Sequence, residues 1–245
     1  VGLFVIGSSK GPRAKGKMRA WYLVDLGLMP YDDCWALQLQ LVEKKVAKEE
    51  PRDIVLMVEH EPVVTVGRRG DLGGLKVSED ILRRMGIALR AVERGGLLTY
   101  HGPGQLVVYP IVNLRSNGLN VMEYVNGLEE VMIRTLARFG LKGCRNPMNR
   151  GVWVGGRKIG SLGIAVRRGI AFHGLALNVD MDLRPFGLME PCGLKGVEMT
   201  SMAAELGKGV DIGDVKREIV KDLDEVFGVK VHLDRTPWKE MEGAD

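Results

Sequence analysis

The chain has 245 residues, enough for one sizeable domain or one domain with a small appendage. Its 45% hydrophobic content is ordinary for a globular protein, and its net charge of +4 is a mild basic excess that suits an acidic partner or simply a solvated surface. No apolar run approaches the roughly 20 residues that span a bilayer, and the 3 cysteines, with no CxxC pair, argue against a disulfide framework and leave room for a working thiol.

Val1–Gly7 is apolar and Ser8–Arg19 is rich in Lys, Arg and Gly, the reverse of the order in a signal peptide. Gly11–Met18 imitates a phosphate-binding P-loop but places Met18 where Ser or Thr would hold magnesium. Residues 1–17 therefore read as a basic, mobile extension and residues 18–245 as a single domain.

Asp32–Glu50 has helical periodicity, with Trp35, Leu39, Val42 and Val46 near one face. Ile54–Val58 is a short apolar strand, Ser78 is placed to cap a helix through Met85, and Ile87–Val92 and Leu106–Leu114 look like strands. Asn120 caps a long amphipathic helix that stops near Phe139 at Gly140. Val152–Val154, Lys158–Val166 and Ile170–Val179 follow as strands joined by tight turns, then a helix over Ile212–Phe227 and a strand over Val229–Leu233. Consecutive strands at 150–179 imply antiparallel pairing, so the mixture predicts an α+β fold, a mixed and largely antiparallel sheet flanked by helices.

Several chemistries are excluded by spacing. No GxGxxG follows a strand, Gly160–Gly163 lacks the spacing of a nucleophile elbow, and His60, His101, His173 and His232 are scattered without zinc-type spacing. No basic helix or aromatic box favours nucleic acid. What remains is a thiol, an amine and a glycine-rich loop. Cys192 lies in EPCGL, where Pro191 and Gly193 mark a turn that exposes a thiol. Lys158 follows Gly155-Gly156 at a strand start; such a lysine is ordinarily a solvated charge, and beside a cysteine it would favour the thiolate or take its proton. Residues 94–110, RGGLLTYHGPGQLVVYP, gather glycines around His101, either as a hairpin corner with a buried histidine or as a loop whose backbone approaches a ligand closely.

That loop resembles the signature of the lipoyl(octanoyl) transferase family. GVWVGGRKIGSLG at 151–163, FHGLALNV at 172–179, EPCGLKGVEMTSM at 190–202 and the opening WYLVDLGLMPYDDCWALQLQ at 21–40 resemble it in the same order. Leu97 departs from it, standing where the family often has a polar residue. The resemblance implies a biotin/lipoate-protein ligase-like fold and a single octanoyltransferase domain over residues 18–245. It implies transfer of an octanoyl or lipoyl group from acyl carrier protein to a lysine of a lipoyl-accepting domain, the first step of endogenous lipoate synthesis. Cys192 would be the acyl-thioester nucleophile, and Lys158 would lower its pKa or shuttle its proton. Arg94, Gly95, Gly96, Leu97, Leu98, Thr99, Tyr100 and His101 would bind substrate, with Ser161, Leu162, Gly163, Gly174, Leu175 and Ala176. Leu162, Leu175 and Tyr100 would wall an apolar slot, and Arg94 and Arg157 would be the first residues to test for docking an acidic carrier. His101 would either orient the thioester or hydrogen-bond the loop, and His173 would be structural.

The resemblance further implies no ATP and no metal, because the octanoyl group arrives already activated on the phosphopantetheine of the carrier. The partners would be octanoyl-acyl carrier protein and the apo lipoyl domains of dehydrogenase complexes or the glycine-cleavage carrier, in the cytoplasm, with neither nucleic acid nor membrane. Three other readings stay open: a cysteine-dependent octanoyl amidotransferase, an ATP-dependent lipoate or biotin ligase, and a non-catalytic acyl-carrier-binding module.

Overall fold

The computed structural model describes residues 19–147, 149–190 and 196–235. The extension expected at 1–17 and the cysteine at 192 lie outside the described residues.

The elements in chain order are β1 (Arg19–Met29), α1 (Tyr31–Ala47), β2 (Asp53–His60), β3 (Val63–Val66), α2 (Glu79–Arg84), β4 (Ala88–Ala91), β5 (Leu98–His101) and β6 (Gln105–Asn113). There follow α3 (Val121–Arg138), β7 (Cys144–Arg145), β8 (Val152–Val154), β9 (Arg157–Arg167), β10 (Ile170–Asn178), α4 (Met202–Leu206), α5 (Ile212–Phe227) and β11 (Val229–Leu233). Ser78 stands at the start of α2 as expected, but its side chain makes no capping bond.

An 8-stranded sheet runs β11-β1-β2-β6-β10-β9-β8-β7. Its β11–β1–β2 edge is parallel and every other pairing is antiparallel, so the expected α+β, largely antiparallel sheet is present. The period-two alternation of strand side chains sorts β2 into two cores. Val55 and Met57 face α3 and α5, whereas Ile54, Leu56 and Val58 face α1. A second, 3-stranded sheet, β4-β3-β5, packs with α2 and Phe186 as a smaller core. This small sheet carries the glycine-rich loop and holds it against β9.

One central strand breaks a packing rule. Pro110 lies inside β6, where it has no N–H for a ladder. The β6–β10 register runs from Val112↔Ala171 to Val108↔Leu175, so His173 falls opposite Pro110, where the ladder lapses. His173 takes φ 53°, unusual for a residue with a side chain, and its N–H donates instead to Gln38 Oε1 on α1 at 2.9 Å. At Gly174 a Cβ would collide with the Val108 carbonyl. The lapse thus has a proline on one strand and a glycine beside it on the other, while the register is the same on either side.

Candidate active site

A cavity of about 610 Å³ lies among the 94–99 segment, β9, β10 and the first turn of α3. Its wall includes residues 94–99 and 101, 161–163 and 174–176, so three stretches far apart in sequence meet at one place. Tyr100 is the expected contact that the wall leaves out. Alternation along β5 turns it to the opposite face, where its ring meets Phe186 edge-on at 5.6 Å. Leu162 and Leu175 do line the cavity.

Glycines let the stretches close on one another. Gly95 N–H donates to Ile164 O at 2.8 Å, and a Cβ on Gly163 would stand 2.8 Å from Gly95 O. Gly163 in turn pairs with Gly174 across β9 and β10. Arg94 braces this arrangement from within. It is 7% exposed, and its guanidinium donates to Thr65 Oγ1, Thr65 O, Gly95 O and Leu97 O. This corrects its expected place on a docking surface, since its N–H groups are spent inside the fold. Arg157, the other docking candidate, pairs with Glu205 at 2.9 Å.

Lys158 stands near the start of β9, only 1% exposed, and lines the cavity. Nζ donates to Asn149 Oδ1 and, at 2.8 Å, to Arg150 O, and lies 5.8 Å from the Trp153 ring centroid. A buried ammonium needs such acceptors, because desolvation disfavours its charge. The ordinary expectation of a solvated lysine therefore does not hold. Its main chain is fixed as well: Lys158 N–H donates to Glu198 O at 2.8 Å, and Thr200 N–H donates to Lys158 O at 2.9 Å. On the near side of the cysteine, Glu190 N–H donates to Gly74 O at 2.8 Å. The described residues flanking Cys192 in the chain are thus bonded to the lysine strand on one side and to the small-sheet loop on the other. Of the other cysteines, Cys34 is buried, which pushes its thiol well above the usual range, and Cys144 is exposed.

Three of the four histidines that looked scattered converge. His60, His101 and His173 all border Tyr31 or Tyr109, with His60 and His101 ring centroids 5.8 Å apart. His101 Nδ1 lies 2.6 Å from Gln105 Oε1, while Gln105 Nε2 donates to Tyr100 O and Asn178 Oδ1. With the amide oriented so, Nδ1 of His101 carries the proton. Asn178 Nδ2 donates onward to Thr200 O, so a run of amides ties His101 to the segment that holds Lys158. Burial, and then the neighbouring His60, push the His101 pKa down to about 3. The ring is neutral, closes the loop and forms part of the cavity wall. His173 also lines the cavity, with Nε2 3.8 Å from Glu93 Oε2 and neither ring nitrogen within hydrogen-bond reach of a partner. Burial would raise the Glu93 carboxyl, but the His173 ring and the Trp35 N–H hold it at about 2.

Sequence reasoning missed Tyr31, Tyr109, Asn149 and Arg150 of the wall, and the exposed Val121 and Met122 at the α3 lip. Asn149 and Arg150 adjoin the GVWVGG segment and were within reach of inspection. The tyrosines become neighbours only through sheet register.

The family described as the lipoyl protein ligase A/B catalytic domain matches residues 30–224. An octanoyltransferase of Syntrophobacter fumaroxidans is 50% identical over 210 residues, covering 86% of this chain and 92% of the relative. One from Desulfotalea psychrophila is 47% identical over 209 residues, covering 84% and 94%. The crystal structure of lipoate-protein ligase A bound with ATP superposes with a TM-score of 0.69 over 92% of each chain at 14% identity, a likeness of fold. With that fold, and with the signature segments gathered around one cavity, the chain belongs to the lipoyl protein ligase A/B catalytic-domain family and, within it, to the octanoyltransferases, which are acyltransferase enzymes.

Proposed function

We propose that the protein moves an octanoyl group from acyl carrier protein to the ε-amine of a lysine on a lipoyl-accepting domain, through a thioester on Cys192. The observation that carries this reading is the single cavity in which a buried Lys158 meets the 94–99, 161–163 and 174–176 stretches, with the chain on both sides of Cys192 bonded beside it. In the first half, the Cys192 thiolate attacks the thioester carbonyl and the carrier's thiol leaves with a proton. In the second, the neutral acceptor amine attacks the acyl-enzyme, Cys192 leaves as thiolate and an amide remains. Lys158 lowers the thiol pKa and passes the proton between the two halves. The apolar wall gives the chain a reason to enter, at about 0.8 kcal/mol per buried methylene.

Neither ATP nor a metal enters this scheme, because thioester exchange starts from an activated acyl group. A cytoplasmic setting belongs to the same reading; among the described residues no helix is long and apolar enough to cross a membrane. So does a catalytic unit of residues 18–245, from which deletion of residues 1–17 leaves transfer intact.

The test is the intact mass of the protein after incubation with octanoyl-acyl carrier protein without ATP. An octanoyl adduct is expected that is absent in Cys192→Ala, slow to form in Lys158→Ala and discharged by an apo lipoyl domain. A requirement for ATP would assign the protein to the ligases, and binding without any adduct would make it a carrier-binding module.

A further inference from the structure

The loop Gly67–Lys76 joins β3 to α2 at the mouth of the cavity, and it is held more firmly than a surface loop needs. Gly67, Arg68 and Arg69 donate their N–H groups to the carbonyls of Leu97, Arg94 and Gly96 at 2.9, 3.0 and 3.3 Å. A Cβ at Gly67 would stand 2.6 Å from Gly96 O, so only glycine lets the turn lie this close to the substrate loop. Further along, Leu75 bridges Met189, Lys76 N–H donates to Leu188 O, and Gly74 O accepts from Glu190 two residues before Cys192. The loop therefore borders the cavity and is tied to residues 188–190.

Its side chains differ from those around them. Arg94, Arg145, Arg150 and Arg157 are all engaged, by the loop carbonyls, Glu129, Glu130 and Glu205. Arg68, Arg69 and Lys76 are exposed, and no carboxylate among the described residues pairs with them. The acid on the same loop, Asp71, accepts from Gly73 N–H. Leu72, between the cations in the chain, is 48% exposed, and Arg69 reaches the cavity wall. Unpaired cations around an exposed leucine, on a turn clamped to the active-site loop, form a surface prepared for an anionic protein rather than a solvated face.

We propose that this cationic lip, Arg68, Arg69 and Lys76 around Leu72, docks the acidic face of the carrier protein that delivers the acyl group. This rests on the octanoyl-transfer reading and adds where the donor sits: over the 67–76 side of the mouth. An acidic carrier approaching there brings its thioester past Arg69 into the cavity. The apolar lip at Val121 and Met122, across the cavity, is left to other contacts.

The test is the double variant Arg68→Glu/Lys76→Glu, which leaves the cavity-lining Arg69 in place. Acylation is followed by intact mass with three donors: octanoyl-carrier protein, octanoyl-4′-phosphopantetheine and octanoyl-pantetheine. The expected result is a KM for the carrier-linked donor raised roughly tenfold or more, as reversal of rim charges weakens steering, with both small donors and the acceptor concentration dependence unchanged. The wild-type KM for the carrier should rise with salt and the variant's should not. Arg68→Lys/Lys76→Arg should behave as wild type. Four results would overturn the proposal: no change, an equal loss with octanoyl-pantetheine, an equal loss with octanoyl-4′-phosphopantetheine (which would assign the lip to the phosphate), or a loss confined to the acceptor step. Wild-type acylation by octanoyl-carrier protein tests the transfer reading separately. Its absence would remove that reading and this inference with it.

Discussion

Lys158 is set by residues that are not themselves reactive, and Gly151 is the most exacting of them. Gly151 has φ 122°; a Cβ there would collide with Gly160 O and stand 2.9 Å from Lys158 Cε, while its N–H donates to the buried Glu129. Gly151→Ala should therefore destabilise the fold by about 1–3 kcal/mol through backbone strain and crowding. It should also slow Cys192 acylation by displacing Nζ from Asn149 and Arg150. A denaturant titration gives the first quantity, and single-turnover mass measurements on the folded fraction give the second. Normal acylation in the stable fraction would show that the lysine's position does not depend on this glycine. At this scale the sequence was informative about identity and silent about environment. Gly155-Gly156 announced a turn before Lys158, but burial of its amine depends on Asn149 and Arg150 folding over it, and a charge at a strand start carries no mark of that.

Among the elements, α3 joins stability to the site most directly. Asn120 Oδ1 accepts from Glu123 N–H at 2.8 Å and Glu123 Oε2 accepts from Asn120 N–H at 3.0 Å, a complete capping box. The turn so fixed contributes Val121, Met122 and Val125 to the cavity. Asn120→Ala should cost about 1 kcal/mol of stability, read as a lower denaturation midpoint. Fraying that turn should also weaken use of the octanoyl donor more than it slows turnover, seen as a raised KM with a nearly unchanged kcat. Long elements with local punctuation were legible: α3 between Asn120 and Gly140, and α5 ending at Gly228, whose φ is 61°. Of the small sheet only β4 was, as the strand expected over Ile87–Val92; β3 and β5 were not. Val63–Val66 is only 4 residues long, and β5 hides in a glycine-rich stretch that reads as loop. Both become strands because they pair with each other, β3 also pairing with β4 on its other edge, which is information held in tertiary register rather than in either segment.

Across the whole molecule, the two sheets meet at a polar seam that is costly to protonate. His60 comes from β2, His101 from β5 and His173 from the point of β10 opposite Pro110, with Tyr31, Tyr109, Arg94 and Glu93 around them. Their positions, 60, 101 and 173, have no metal-like spacing, and the positive φ of His173, opposite Pro110, carries no mark in its own segment. Burial lowers all 3 pKa values, to about 4 for His60 and about 3 for His101, while Glu93 opposes the shift at His173. In the unfolded chain a histidine protonates near the ordinary value of about 6.5. Between that value and the lower folded one, the unfolded state holds the extra proton, so stability falls as pH falls. Above about 6.5 these groups contribute no pH dependence. Glu93, held at about 2, adds its own loss only as the pH falls below the usual carboxylate range near 4.5. The window from pH 6.5 to 4.5 therefore isolates the histidines, each contributing at most about 1.4 kcal/mol per pH unit. Urea unfolding across that window should show stability declining with acid, and His60→Asn or His101→Asn should flatten the slope whatever either does to stability at neutral pH. A slope that each variant leaves unchanged would mean that the seam already takes up protons while folded, and that the neutral His101 ring assigned to the cavity wall is wrong.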